Sequence, residues 1–154
     1  MNLTAKETEL LKDLKTQEQL CIEKYEKASQ CAHKEELKGL FSSIANVERD
    51  HLKTINQIMG GSLPSTSSSA SSSSGSDSTT YTALDYSDEQ QKKDDAFLCQ
   101  DMLTAEKHAS SLYNTSVFEF SDSQARQVLN HIQTEEQQHG EQLYAFMSCN
   151  GMYS

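Results

Sequence analysis

The sequence predicts an all-α protein, a four-helix bundle built from two repeated helical hairpins with a long Ser-rich crossover loop between them. Three observations carry that prediction. Apolar residues recur at steps of three and four, the spacing of a helix face, and do not alternate as in a half-buried strand. From Ser62 to Ser78 eleven of seventeen residues are serine, a composition that cannot form a packed core. Positions on the two sides of that stretch correspond at a constant offset of 88: Glu18 with Glu106, Tyr25 with Tyr113, Ile44 with Ile132, Glu48 with Glu136, His51 with His139 and Met59 with Met147.

The first helix is expected near 5–31. It opens on T-A-K-E at Thr4, a capping box in which threonine and glutamate satisfy each other's backbone N–H groups, and its apolar stripe runs through Leu10, Leu14, Cys21, Tyr25 and Ala28. The second, near 34–59, carries Leu37, Phe41, Ile44, Ile55 and Ile58 and is stopped by Gly60-Gly61. A loop over 60–87 follows, with the single proline, Pro64, near its start. The third helix, near 88–117, begins at the capping signature S-D-E-Q (Ser87 to Gln90) and turns Leu98, Met102, Ala109, Tyr113 and Ser116 inward. The fourth, near 122–149, begins at S-D-S-Q (Ser121) and turns Ala125, Leu129, Ile132, Leu143 and Phe146 inward. The expected organisation is one domain over 1–154: a helical hairpin at 5–59, the low-complexity crossover at 60–87 and a second hairpin at 88–149.

Charge narrows the partners. The formal net charge is −10, with 23 acidic against 13 basic residues and no basic run, so nothing is set up to neutralise phosphates. Nucleic acid and anionic membrane are poor partners for such a chain, and cations are better ones. The N-terminus lacks an apolar signal-type segment and no apolar stretch approaches a bilayer span, which leads to the expectation of a soluble chain made in the cytosol without a signal peptide. Cys21, Cys31, Cys99 and Cys149 have neither C-x-x-C spacing nor a dense framework, so reduced, mostly buried thiols are expected.

The chemistry lies where the apolar stripes are interrupted. Polar residues fill the missing core steps: Glu18 in the first helix, Glu48 and His51 in the second, Glu106 in the third, Glu136 and His139 in the fourth. Glu-x-x-His places a carboxylate and an imidazole about one turn apart on one helix face, where both can hold one metal ion. A single such motif reads as a surface ion pair. Six matching residues at core steps with a common offset read differently, because four buried carboxylates repel one another unless cations neutralise them. His33, His108 and His131 fall off the inward stripes and read as surface histidines. Tyr25 and Tyr113 face inward two turns from Glu18 and Glu106, where a phenol would hydrogen-bond a metal-bound carboxylate or would simply fill the core.

One glutamate from each of two helices plus Glu-x-x-His from each of the other two is the ligand pattern of ferritin-like di-iron and di-manganese proteins. The arrangement Glu18-x6-Tyr25, Glu48-x-x-His51, Glu106-x6-Tyr113 and Glu136-x-x-His139 resembles the erythrin branch of that superfamily, including rubrerythrins, across both hairpins but not the loop. That resemblance implies a single ferritin-like domain in which these six residues hold two iron ions, or manganese, with oxidase or peroxidase activity and an external electron donor. Two departures bear on peroxidase activity: Ala109 stands where rubrerythrins have a further glutamate, and no C-x-x-C is present for a rubredoxin-type iron. The stretch L-N-H-I-Q-T-E-E-Q-Q-H-G-E-Q-L-Y-A-F-M, with S-V-F-E-F-S-D before it, resembles clostridial spore coat proteins of the coat F type. This second resemblance spans roughly Asp88 to the C-terminus and, more weakly, the first hairpin. It implies a place in the spore coat, other spore coat proteins as partners, with a homodimer left open, and an alternative function as a purely structural coat protein whose metal site is vestigial or merely stabilising.

Overall fold

Three of the four helix starts are fixed by side chains that take up the free N–H groups of a first turn, while the second helix begins after Lys34, whose side chain makes no such bond. In the computed structural model, which describes residues 1–64 and 81–153, these are the helices α1 (Ala5–Cys31), α2 (Glu35–Met59), α3 (Glu89–Glu119) and α4 (Ser123–Cys149), with no strand among the described residues. Thr4 makes the full capping box: its Oγ1 accepts from the Glu7 N–H at 3.0 Å, and Glu7 Oε1 accepts from the Thr4 N–H at 2.9 Å. The other oxygen of the buried Glu7 accepts from the Ser121 N–H at 3.0 Å, which ties the start of α1 to the turn between α3 and α4.

The caps of α3 and α4 differ from the expectation. Asp88 and Asp122, not Ser87 and Ser121, accept the first-turn N–H groups. A carboxylate offers a stronger acceptor than a hydroxyl and also complements the positive helix end, so the aspartate one position later wins. Gly60 ends α2, and Gly61 follows at φ 88°, a left-handed conformation that glycine adopts without strain.

Cross-helix contacts set the directions. Lys6 meets Glu119 at 2.8 Å and Lys24 meets Asp101 at 2.8 Å, so α1 and α3 run antiparallel; each helix also packs along its hairpin partner, α1 with α2 and α3 with α4. The end of α2 and the start of α3 therefore lie at opposite ends of the helical bundle. Leu63 packs at one end, while Tyr81 and Leu84 pack at the other. Residues 65–80, most of the expected crossover, lie outside the described residues.

Two apolar layers form the core. One gathers Leu37, Phe41, Met102, Leu143 and Phe146 around Tyr25; the other gathers Leu11, Leu14, Ile55, Ile58, Leu129 and Phe120 around Tyr113. The predicted stripes match these layers except at Leu10 and Leu98, which are half-buried while their neighbours Leu11 and Cys99 point inward. Leu10 and Leu11 lie four and three residues before Leu14, as Leu98 and Cys99 lie before Met102, so either residue of each pair continues the stripe and helix period alone does not choose between them. All four thiols are free; Cys21 and Cys99 are buried and Cys149 half-buried, and Cys31 alone is exposed. Between the two apolar layers the bundle is polar, and that belt holds the chemistry.

Candidate metal centre

Each helix delivers one or two side chains to the belt at the steps where its apolar stripe is interrupted. α1 contributes Glu18, α2 Glu48 and His51, α3 Glu106, and α4 Glu136 and His139; all six are buried. The structure therefore brings together every residue the sequence singled out as a ligand. Glu18, Glu48, His51 and Glu136 each offer one ligand atom within 4.8 Å of the others, and so do Glu48, Glu106, Glu136 and His139. The two groups share Glu48 and Glu136, one carboxylate from each hairpin.

The histidines cross between hairpins. His51 Nδ1 lies 2.7 Å from Glu136 Oε1, and His139 Nδ1 lies 2.9 Å from Glu48 Oε1. Neither close approach is aligned as a hydrogen bond. Glu48 Oε1, both Glu136 oxygens, Glu18 Oε2, Glu106 Oε2 and His139 Nδ1 are buried without a hydrogen-bond partner among the described residues. Orphaned polar atoms in a protein interior are rare and costly. Five orphaned carboxylate oxygens and a ring nitrogen converging on one small volume form a donor set of the hard and borderline type that suits divalent iron or manganese.

The tyrosines also cross. Tyr25 of α1 donates to Glu106 Oε1 at 2.6 Å, and Tyr113 of α3 donates to Glu18 Oε1 at 2.5 Å. Each phenol thus binds the carboxylate of the other hairpin, not the one on its own helix. One oxygen of each terminal glutamate is held, and the other is left toward the cluster.

Electrostatics follow from burial and crowding. Desolvation, then the neighbouring Glu48, pushes the Glu18 carboxyl well up; desolvation, then Glu106, does the same to Glu136. For Glu48 burial also acts upward, but the adjoining Glu18 carboxyl and the two imidazoles of His139 and His51 close by outweigh it and hold that carboxyl far below its usual range. Burial lowers the two histidines, yet the surrounding carboxylates prevail and raise His51 to about 10 and His139 to about 9. The cation-free cluster is a store of protons.

Two neighbours escaped the sequence reading. Glu135 accepts from His51 Nε2 at 2.9 Å, on the ring edge facing away from the cluster. A carboxylate can only accept, so Nε2 keeps its hydrogen and a neutral ring presents its Nδ1 lone pair inward. The residue 88 positions earlier is Val47, so the offset that revealed the other pairs is silent here. Cys21 lies one turn from Glu18, accepts from Gln17 Nε2 at 3.3 Å, and has its thiol pushed far up by burial and then by the carboxylates, so it stays protonated. Of the surface histidines, His33 bonds Asp94 at 3.0 Å, His131 approaches Glu135 at 3.6 Å, and His108 is exposed; none joins the cluster.

Residues 94–154 match the Coat F domain family. The match covers most of α3 and all of α4, hence Glu106, Glu136 and His139, and leaves the first hairpin outside it. No curated protein and no solved structure matches the chain. No helix among the described residues is long and apolar enough to cross a membrane.

Proposed function

We propose that the chain is a spore coat component whose ferritin-like bundle holds two divalent cations, iron or manganese, in one dinuclear centre. Glu18 and His51 serve one position, Glu106 and His139 the other, and Glu48 and Glu136 serve both. The observation that carries this reading is the pair of overlapping four-residue groups, each within 4.8 Å, in which five carboxylate oxygens lack a hydrogen-bond partner among the described residues. Burying four carboxylates is costly unless protons or cations accompany them, and two divalent cations supply the matching positive charge. The Coat F match supports the place in the coat, and with it association with other coat proteins.

The chain's own groups prepare the centre. Tyr25 and Tyr113 orient the terminal glutamates, Glu135 fixes the tautomer of His51, and the apolar layers on both sides exclude bulk water. When bound, redox-active cations supply the electrons to reduce dioxygen or hydrogen peroxide, and an external donor restores them. A second reading, a structural coat protein with a stabilising cation clip, draws support from Ala109, which offers no further carboxylate. Elemental analysis of protein purified from a metal-replete host tests the shared premise. Two iron or manganese ions per chain support it, and a metal-free protein overturns it.

A further inference from the structure

The two sides of the belt are not alike. A groove of about 490 Å³ opens between α3 and α4, with Ser110, Gln133 and Gln137 on its walls and the buried Glu106 and Glu136 as its innermost lining. Both oxygens of Glu136 and Oε2 of Glu106 are unpartnered among the described residues. On the opposite side a cavity of about 330 Å³ runs along Glu26, Ser29, Ser42 and Arg49 and reaches none of the six cluster residues.

The sequence explains the difference through the offset of 88. Gly140 and Ser110 in the groove correspond to Leu52 and Ile22, two half-buried apolar side chains at the equivalent positions of the first hairpin. Gly140 is otherwise hard to justify, since a glycine inside a helix costs about 1 kcal/mol relative to alanine. It is not needed for close packing: a Cβ there would meet Leu103 Cδ1 at 3.6 Å, an ordinary contact. What its missing side chain provides is space.

Resting on the dinuclear reading above, we propose that the groove between α3 and α4 is the port through which hydrated divalent cations reach the centre, on the Glu106 and Glu136 side, and that Gly140 and Ser110 keep it open. A cation with six waters occupies on the order of 200 Å³ at about 30 Å³ per water, which the groove accommodates. The hydroxyl and amide groups on its walls replace shed waters before the unpartnered carboxylates take over.

The test is the kinetics of Co²⁺ uptake by chelator-treated full-length protein, followed by visible absorption, in wild type, Gly140→Leu and Ser110→Ile, with helicity checked by circular dichroism. The two variants copy the first hairpin's own residues into different walls, so a folding failure in one leaves the other informative. A port predicts uptake and release both slowed at least tenfold, with two ions still bound at equilibrium and affinity within about threefold of wild type. Wild-type rates in folded variants overturn the port while leaving the centre intact. A wild type that binds no Co²⁺ overturns the centre itself.

Discussion

Tyr113 on α3 donates its phenolic hydrogen to Glu18 on α1 at 2.5 Å, and Tyr25 on α1 repeats the gesture to Glu106 on α3 at 2.6 Å. The two bonds lock the hairpins together on either side of the belt, and each acts on a different terminal carboxylate.

Tyr113→Phe should therefore weaken the cation position built from Glu18 and His51, and Tyr25→Phe the position built from Glu106 and His139. The expected loss is about tenfold to a hundredfold at the affected position, the usual effect of removing a group that orients a ligand. Stepwise titration calorimetry reads each position. Equal weakening of both positions by either variant would show that the tyrosines act only on the fold.

The shared carboxylates make a second contrast. Glu48→Ala removes a member of both four-residue groups, whereas Glu18→Ala removes a member of one. Elemental analysis should find close to zero ions per chain in the first and close to one in the second. The reverse order would contradict the assignment of Glu48 as shared.

Without cations, stability should fall as pH rises. His51 and His139 have folded values raised above the ordinary histidine value, so their contribution is complete below about pH 6.5 and is lost as pH climbs through about 9 and 10. Glu18 and Glu136 are raised as well and act in the same direction from the ordinary carboxylate range upward. Glu48, held low, acts oppositely, but only below that range. Thermal unfolding of chelator-treated protein from pH 5 to pH 9 should show a falling midpoint, while the cation-loaded protein should show a rising one, because cations displace those protons. Parallel trends would contradict the proton-store description.

Glu7 is a structural counterpart. It closes the capping box with Thr4 and also binds the Ser121 N–H across the bundle. Glu7→Ala should cost about 1 to 2 kcal/mol in chemical denaturation, the range for loss of a helix cap, with cation stoichiometry unchanged.

The six belt residues were legible in the sequence because each replaces an apolar residue at a core step, and because the repeat shows each replacement twice. Helix phase says which way a side chain points along its own helix; it does not say which neighbour it meets. That is why Tyr25 and Tyr113 were found but their partners across the hairpins were not. Glu135 was hidden for a related reason. It sits off the inward stripe, its counterpart is Val47, and its role exists only through the ring of His51 on another helix. Leu10 and Leu98 were chosen over Leu11 and Cys99 because each pair lies four and three residues before the next stripe residue, Leu14 or Met102, and both steps fit a helix face.

The central claim is that the belt binds two divalent cations in exchange for protons. The most direct measurement is calorimetric titration of chelator-treated protein with Mn²⁺ near neutral pH in buffers of different ionisation enthalpy, which reports ion number and proton release together. The account predicts two ions per chain, proton release on binding, and loss of both signals in Glu48→Ala. Saturation without proton release, or no binding by a fully helical wild type, would contradict it.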